Sequence, residues 1–386
     1  MSRLAAAIDF GTSKIAIAAG RLDERGTLTV AGAGQAMYAG FRDDEWLDLV
    51  GLEDAILTAK RAAEVQAGRK IRDMYVSVPG DFIQAVFQRV EVPVASRDGV
   101  ITREDVDQLI EEAAAYAPPS GYLPLHRTPV AYVVDGQSRQ RPPVGEKSSG
   151  YLGAFVSIVY ALETFVDHVG AILGNLGIGV MGFIAGPLGT GYIARCDGET
   201  KRTAVVLDVG HYSMDIIVAE GEGLVYHSNM PLGGGTVTKD ISVLMNMPLD
   251  DAERTKRLLT LGLKRGEVIS ERQSAARAGL SEAQEIAEAR VWDICRRVVA
   301  ALNDLGVTYD GQTGVYLTGG GLALLKGSKD ILGATMGRIV KIYSHQSPFL
   351  NSPTYTAAVG SLYYALNVLA RGNTFRDIIG RLRDLF

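Results

Sequence analysis

Two short stretches of this sequence carry residues that could hold a nucleotide and its metal ion. In the first, residues 7–17 (AIDFGTSKIAI), one apolar strand ends at Asp9 and a second follows a polar turn. The turn contains Gly11, Thr12, Ser13 and Lys14. Glycine permits the sharp bend, and two hydroxyls and one cation beside backbone N–H groups suit phosphate oxygens. A carboxylate at the end of the strand suits a hydrated Mg²⁺ ion.

The second stretch, residues 204–218 (AVVLDVGHYSMDIIV), repeats this arrangement in the other half of the chain. Asp208 ends its strand, and Gly210 and Ser213 lie in its turn. Either stretch alone fits an ordinary hairpin with a polar turn. Together they predict two related lobes that each present a carboxylate and a turn to a shared cleft. The cofactors expected in that cleft are ATP and Mg²⁺.

A third element lies in residues 315–327 (VYLTGGGLALLKG), which predict a strand, a glycine run and then the start of a helix. The run consists of Gly319, Gly320 and Gly321, whose backbone N–H groups would face an anion or the edge of a ligand. The order of the three motifs resembles the superfamily of actin, Hsp70 and the sugar kinases. That resemblance implies an α/β, two-lobed actin-like fold built on a duplicated ribonuclease-H-like unit.

Length and composition set limits on the partners and the architecture. The 386 residues are enough for two to three domains, each with its own core. A hydrophobic content of 47% and a charged content of 22% are typical of globular proteins. The net charge of −5 predicts no nucleic-acid partner. No run of roughly 18 apolar residues is present, so we expect no membrane-spanning segment.

Residues 81–161 read as an inserted small α+β module, in which Thr102 caps a helix that runs to about Tyr116. Four short segments resemble the bacterial FtsA family of cell-division proteins: residues 32–35 (GAGQ), 101–107 (ITREDVD), 132–137 (YVVDGQ) and 143–145 (PVG). In that family an inserted module replaces the equivalent subdomain of actin and lies on the other side of the lobe. The resemblance covers essentially the whole chain.

The resemblance implies that the chain is divided into five parts. Residues 1–80, 162–200 and 354–370 form the first lobe (subdomain 1A), residues 81–161 the inserted module (1C), residues 201–240 and 306–353 the core of the second lobe (2A), residues 241–305 a helical subdomain (2B), and residues 373–386 an amphipathic helix. Within the first lobe, residues 171–194 are expected to form a helix, a glycine-rich turn and a second helix that connects the lobes.

Two segments of the second lobe resemble family elements near the nucleotide. Residues 231–241 match a glycine turn that leads into a helix, which adds Gly234, Gly235 and Lys239 to the nucleotide-binding residues. Residues 248–256 match a helix whose Glu253 and Lys256 approach the adenosine. These two side chains are three residues apart and share a helix face. Without the resemblance, a solvated ion pair explains them equally well.

A long amphipathic helix is predicted for residues 281–305, with Ile286, Ala289, Ile294, Val298 and Leu302 on its apolar side. The resemblance implies that this subdomain receives the acidic C-terminal tail of the tubulin-like protein FtsZ. Arg290 then matches the family's arginine at that surface. An arginine on such a helix is otherwise most often only solvated.

The last 14 residues, 373–386 (NTFRDIIGRLRDLF), have the pattern of an amphipathic helix. Its apolar stripe consists of Phe375, Ile378, Ile379, Leu382, Leu385 and Phe386. Three arginines and two aspartates flank the stripe. Such a helix packs on the protein's own body or lies at an anionic membrane interface. The resemblance implies the second, at the inner leaflet of the cytoplasmic membrane, with a tether of only about four residues, 370–373.

The sequence departs from the family pattern at two places that matter for nucleotide chemistry. In the second turn, His211 and Tyr212 replace glycines, and we expect them to resist positive φ and to add bulk beside the phosphates. The connection between the lobes, residues 186–192 (GPLGTGY), lacks the family's glutamine and glutamate. Those side chains could orient an attacking water. We therefore expect nucleotide binding with slow or absent hydrolysis, and we predict no catalytic residue.

The interpretation that the sequence favours is an ATP-binding, actin-like cell-division adaptor. It would self-associate, bind the FtsZ tail and tether the division ring to the cytoplasmic face of the cell membrane at the division site. Three alternatives stay open: a phosphotransferase of the sugar-kinase branch, an Hsp70-like ATPase, and an actin-like protein of pilus assembly. The first needs a catalytic aspartate and a sugar pocket, and the second needs a peptide-binding domain. The amphipathic segment argues against the third.

Overall fold

The computed structural model describes residues 4–42, 45–197, 203–262, 274–304, 312–350 and 352–371. The first lobe is built on a five-stranded sheet of order β11-β6-β1-β2-β3. Its strands are β1 (Ala5–Phe10), β2 (Lys14–Leu22), β3 (Leu28–Met37), β6 (Asp73–Val78) and β11 (Gly179–Ala185). The first three are antiparallel, and β6 and β11 run parallel to β1. A two-stranded ladder, β4 (Phe41–Arg42) with β5 (Glu45–Trp46), follows β3.

The second lobe repeats this topology in a sheet of order β14-β13-β12-β15-β16. Its strands are β12 (Thr203–Val209), β13 (Met214–Glu220), β14 (Gly223–Met230), β15 (Thr313–Thr318) and β16 (Lys341–Ile342). Again three consecutive antiparallel strands are followed by two that run parallel to the first. The same strand order twice confirms the predicted duplication and the two-lobed actin-like fold.

An antiparallel sheet of order β7-β10-β8-β9 is inserted in chain order between β6 and β11 of the first lobe. Its strands are β7 (Ile83–Pro93), β8 (Tyr122–Val134), β9 (Gln137–Arg139) and β10 (Tyr151–Leu162), and helix α2 (Arg103–Ala114) lies between β7 and β8 in the chain. Helix α2 begins with a full capping box: the Thr102 hydroxyl accepts from the Asp105 N–H, and the Asp105 carboxylate accepts from the Thr102 N–H. The small core of this module is its own, around Val106, Leu109 and Leu152.

Helices cover the sheets of both lobes. In the first lobe these are α1 (Leu49–Ala67), α3 (Glu163–Asn175), α4 (Gly186–Asp197) and α9 (Thr356–Asn367), and in the second α5 (Gly234–Leu244), α6 (Leu249–Leu258), α7 (Ser274–Asp304) and α8 (Ser328–Met336). Short 3₁₀ turns lie at Gly80–Phe82, Pro353–Tyr355 and Leu369–Arg371. Within the six described ranges, no helix combines the length and the hydropathy needed to cross a bilayer.

Helices α4 and α9 cross between the lobes with almost no space between their backbones. A Cβ added to Gly189 would lie 2.6 Å from the Ser361 nitrogen, and one added to Gly360 would lie 2.5 Å from the Gly189 carbonyl oxygen. The other side of α4 meets the second sheet, where a Cβ on Gly191 would lie 2.7 Å from the Ala219 Cβ. The core of the first lobe therefore continues into the second sheet.

Three local predictions differ from the structure. Residues 171–194 are not two helices around a turn, because the edge strand Gly179–Ala185 lies between α3 and α4. The glycine run at 319–321 does not open a helix: turns follow it, and α8 begins only at Ser328. On α7, Ala289 is exposed, and the buried stripe instead includes Ala287 and Val291.

Candidate functional site

A cleft of about 720 Å³ lies between the lobes, where the ends of β1 and β12 approach each other. This volume is in the range of small-molecule sites in proteins. Most of the predicted nucleotide-site residues line it: Asp9, Gly11, Thr12, Ser13, Lys14, Asp208, Gly210, Ser213, Glu253, Lys256, Gly319, Gly320 and Gly321. Residues from both hairpins, the glycine run and α6 thus meet at one place, although Asp9 and Gly321 are more than 300 positions apart in the chain.

Two carboxylates at the base of the cleft have raised pKa values. Burial raises the pKa of Asp9 to about 6, with Asp215 adding to the effect and Ser77 and Lys14 opposing it. Burial also raises the pKa of Asp208 to about 8, since Asp215 and Asp9 add negative charge nearby and Lys14 compensates only in part. Burial and the neighbouring carboxylates therefore disfavour the charged forms of both side chains.

Lys14 is the cation that faces these acids. Burial lowers the pKa of its ammonium group to about 8; Asp208 and Asp9 oppose the shift, and Arg257 adds to it. Its Nζ atom lies 3.1 Å from where a Cβ of Gly320 would be, so the ammonium group reaches across the cleft to the glycine run. A cation held between two carboxylates and a glycine turn can meet the charge of a phosphate.

Asp9 and Asp208 fit Mg²⁺ as part of a nucleotide complex, but not as a complete protein site. Hard carboxylate oxygens are the ligands that Mg²⁺ takes in proteins, and it usually keeps several waters and binds through one or two carboxylates plus substrate phosphates. The described ranges contain no group of three or more acidic, histidine or cysteine side chains arranged to hold a metal ion. The two carboxyl groups in the cleft match binding to Mg²⁺ together with nucleotide phosphates.

The two hairpin turns have the same geometry. In each, the glycine N–H donates to the carbonyl three residues later: Gly11 to Lys14, and Gly210 to Ser213, both at 2.9 Å. The glycine run packs against the second turn, and the Gly321 N–H donates to the Val209 carbonyl at 2.7 Å. Gly319 has a φ of +82°, and any side chain there would collide with Asp208 and Val209.

Hydrogen bonds cross the cleft between the two hairpins. The Thr12 hydroxyl accepts from the N–H groups of both His211 and Tyr212, at 3.2 Å each. Nearby, the Asp81 carboxylate accepts from the Ser213 hydroxyl at 3.0 Å and from the Asn229 amide at 3.3 Å. Neither these contacts nor the position of Asp81 in the cleft is predicted from the sequence.

The second turn accommodates His211 and Tyr212, the two residues that replace glycines, without a left-handed backbone conformation. Neither His211 nor Tyr212 has a positive φ. The two rings meet edge to face, with centroids 4.5 Å apart. The His211 ring also packs against Gly235. A Cβ at Gly235 would lie only 2.9 Å from the imidazole Nε2. The expected bulk is present, because both residues line the cleft.

Glu253 and Lys256 form a buried ion pair that joins α5 and α6. The Lys256 ammonium group donates to Glu253 at 2.7 Å, to the Thr238 hydroxyl at 2.9 Å and to the Gly234 carbonyl at 3.0 Å. Burial raises the pKa of the Glu253 carboxyl, but hydrogen bonds from Lys256, Thr238 and Arg257 lower it to about 2. Arg257, which also lines the cleft, donates to the same carboxylate at 2.9 Å.

Three of the predicted nucleotide-binding residues lie outside the cleft lining. The N–H groups of Gly234 and Gly235 donate to the carbonyls of Gly210 and His211, at 2.9 and 2.8 Å, so they support the second turn from behind. Lys239 is exposed. On α5 it lies opposite the buried stripe of Val237, Thr238 and Ile241, because successive helical residues differ by about 100°.

The predicted partner-binding residue, Arg290, is not among the residues that line the cleft. Arg290 is half-buried on α7 and pairs with Asp240 on α5 at 2.5 Å and with Asp293 at 3.1 Å. The apolar stripe Phe375, Ile378, Ile379, Leu382, Leu385 and Phe386 lies outside the described residues.

Comparisons with known proteins agree with this architecture. A family model described as cell division protein FtsA matches residues 205–360, and one described as an SHS2 domain inserted in FtsA matches residues 80–160. Among curated relatives, the cell division protein FtsA of Neisseria meningitidis is 26% identical over 94% of this chain and 90% of its own length. The FtsA protein of Escherichia coli K12 is 24% identical over the same shares.

Solved structures show the same fold at lower identity. The type IV pilus biogenesis complex PilM–PilN superposes with a TM-score of 0.60 and 17% identity, over 93% of this chain and 98% of that one. MreB5 of Spiroplasma citri bound to ADP superposes with a TM-score of 0.52 and 11% identity, over 98% of each chain. Two duplicated lobes around a cleft define this protein as a member of the actin-like class. The chain belongs to the FtsA family of bacterial cell-division proteins.

Proposed function

We propose that this cell-division protein is an ATP-binding adaptor that self-associates, binds the C-terminal tail of FtsZ and tethers the division ring to the cytoplasmic face of the cell membrane. The observation that carries the proposal is the interlobe cleft, in which Asp9 and Asp208 face Lys14 between glycine turns. The MreB5 structure, with the same fold, is described as bound to ADP. Nucleotide would then act as a ligand that favours one arrangement of the lobes.

Residues of the cleft divide by chemistry among the parts of a Mg²⁺–ATP complex. Asp9 and Asp208 would hold the hydrated Mg²⁺, and the two hairpin turns with Lys14 and the glycine run would hold the phosphates. Glu253 and Lys256, which also line the cleft, would approach the adenosine. Gly186 and Pro187 line the cleft where the family carries a glutamine. They offer no side chain to orient water, so we propose weak ATPase activity at most.

Calorimetric titration of the full chain with MgATP tests this proposal. We expect a dissociation constant well below about 1 mM, and at least tenfold weaker binding by the Lys14→Met variant because it removes the cation between the carboxylates. Lys326→Met is the matched control, since Lys326 is exposed on the second lobe outside the cleft lining. No uptake of adenine nucleotide by the unmodified chain at about 1 mM would refute the proposal.

The proposed FtsZ site is the surface of the helical subdomain around Arg290. This arginine bridges α5 and α7 through Asp240 and Asp293, which fixes its position but also means that an acidic tail must compete for it. We expect Arg290→Glu to weaken binding of a fluorescent FtsZ tail peptide at least tenfold in anisotropy titrations. The control is Arg296→Glu on the same helix, where the arginine is exposed. Equal loss in both variants would indicate nonspecific charge attraction.

Membrane attachment is proposed for residues 373–386, whose apolar stripe and flanking arginines suit an anionic interface. Full-length protein should sediment with anionic vesicles, and a chain truncated at Gly372 should not. Equal sedimentation would remove the membrane proposal. Self-association is measured on the same vesicles by electron microscopy, with and without MgATP. The pilus alternative has only the likeness to PilM–PilN in its favour, which at 17% identity concerns the fold alone.

A further inference from the structure

A second groove, of about 300 Å³, lies on the first lobe at the opposite edge of the sheet from the cleft. The parallel strands β1, β6 and β11 begin at this edge, and the cleft lies at their other ends. Leu4, Ile71, Tyr75, Met181 and Leu366 form its apolar floor. The loop between α1 and β6 forms its rim, so the groove combines an apolar floor with a polar border.

The rim is basic, with Arg69, Lys70 and Arg72 all lining the groove and all exposed. Lys70 pairs with Glu64 at 2.9 Å, but its side chain is still 81% exposed. Within the described ranges, the side chains of Arg69 and Arg72 pair with no acidic group. Asp73 is the one acidic residue among those that line the groove. The rim therefore presents a net positive charge to solvent.

The groove lies beside the point where the chain continues toward residues 373–386. Helix α9 begins at the cleft, where Ala357 is part of the lining, and runs roughly 18 Å to the opposite edge. Leu366 in its last turn lines the groove. From Arg371 to Asn373 the chain can span roughly 7 Å at most.

We propose that Arg69, Lys70 and Arg72 form a second contact with the membrane, in which the basic rim binds the phosphates of anionic lipids beside the inserted segment. This inference rests on the proposed attachment through residues 373–386. A single weak anchor gives only reversible binding, and stable attachment takes a second signal such as a basic patch. The alternative occupant, the chain's own segment 373–386, carries three arginines against two aspartates and would meet a rim of like charge.

Vesicle co-sedimentation of the full chain tests this inference, with equal parts of phosphatidylglycerol and phosphatidylcholine. A basic side chain near an anionic surface changes the partition coefficient about fivefold. We therefore expect Arg69→Gln combined with Arg72→Gln to lower it roughly 25-fold. The matched control is Lys326→Gln combined with Lys329→Gln, which removes the same charge from exposed positions on the second lobe and should change little. Thermal melting checks that both double variants fold.

The outcomes separate this inference from the attachment proposal on which it rests. The effect of the rim variant should disappear on vesicles of phosphatidylcholine alone, and also near 1 M salt, where the screening length is about 3 Å. Unchanged binding of the rim variant, with loss of binding on truncation at Gly372, would overturn the inference and leave the anchor. Stronger binding of the rim variant to anionic vesicles would instead assign the groove to the chain's own segment. If the rim variant loses self-association but keeps its lipid binding, the groove would be assigned to a second copy of the chain. Either result would overturn the inference.

Discussion

Replacing Asp208 with asparagine should remove most of the pH dependence of MgATP binding. Asparagine has nearly the shape of the protonated carboxyl, so it keeps the packing against the glycine run while abolishing the charge. In the unliganded chain the pKa of Asp208 is raised to about 8 by burial and by Asp215 and Asp9. A bound Mg²⁺ ion needs the carboxylate form, so binding must release this proton whenever the pH is below that value.

The magnitude follows from the fraction of protein that carries the charge. With a pKa of about 8, roughly one molecule in a hundred is ionised at Asp208 near pH 6, and about half near pH 8. The affinity for MgATP should therefore rise roughly fiftyfold between these values, which is about 2.3 kcal/mol. Asp9, with a pKa of about 6, adds only about a factor of two in this interval. The Asp208→Asn variant should keep that smaller factor.

Calorimetric titrations at several pH values, in excess Mg²⁺, measure this difference directly. The nucleotide's own titration cancels in the ratio of wild-type to variant affinity. Asp9→Asn is the matched control and should keep most of the rise between about pH 6 and pH 8. Without Mg²⁺ the sign should reverse, because an ionised Asp208 repels the phosphates. Equal slopes for wild type and Asp208→Asn, or the same slope with and without Mg²⁺, would refute the reasoning.

The same group predicts how the stability of the unliganded protein depends on pH. A carboxyl whose pKa is raised in the folded state stabilises the fold below its unfolded pKa of about 3.8, and this contribution is lost as the pH rises through about 8. Urea unfolding without nucleotide should therefore show lower stability near pH 8 than near pH 5, with a smaller decline in Asp208→Asn. A stability that rises over this interval in wild type and not in the variant would contradict the raised pKa.

Three further substitutions test contacts around the cleft. Thr12→Val leaves two N–H groups without an acceptor and should lower the free energy of unfolding of the unliganded chain by about 2 kcal/mol in urea titrations; MgATP should reduce this loss. Lys256→Met removes two hydrogen bonds from α6 to α5 and the ion pair with Glu253 within α6, and it should cost about 2 kcal/mol in the same assay, after allowance for the partly exposed partner. Gly189→Val should lower the free energy of unfolding by at least about 2 kcal/mol because its Cβ would lie 2.6 Å from the Ser361 nitrogen. The control is Gly174→Ala, since nothing lies within 4 Å of a Cβ at that position. Equal melting temperatures of the two variants would contradict the close crossing of α4 and α9.

The parts of the fold that the sequence predicts well are those set by neighbouring residues. Each hairpin is determined by an apolar strand, a turn glycine and a second apolar strand, so the two lobes follow from two local patterns. The start of α2 is another example, since Thr102 and Asp105 form a reciprocal cap within one turn. The inserted module and the cleft lining follow from the family resemblance of short segments rather than from periodicity.

The features that the sequence does not predict depend on distant parts of the chain. Strand Gly179–Ala185 is interrupted by glycine and carries a register shift between Val180 and Gly182, so no alternation marks it, and only pairing with β6 makes it a strand. The amides of Gly234 and Gly235 have the pattern of an anion site, but carbonyls of the second turn occupy them. Which donors stay available in a cleft is decided by the partners that the fold brings to them.

The contact between Thr12 and the second turn gives a physical basis for coupling between nucleotide and lobe arrangement. The N–H groups of His211 and Tyr212 are the donors that a hairpin turn offers to a phosphate, and in the unliganded chain the Thr12 hydroxyl of the other lobe accepts from both. A phosphate bound at that turn must displace this hydroxyl, so the contact and the ligand exclude each other. A ligand shifts a conformational equilibrium only through such a difference between states. We therefore expect Thr12→Val to bind MgATP at least as tightly as wild type but to lose the nucleotide-dependent change in the distance between the lobes. Spin labels on the two lobes measure this distance. A variant that keeps the change would place the coupling elsewhere.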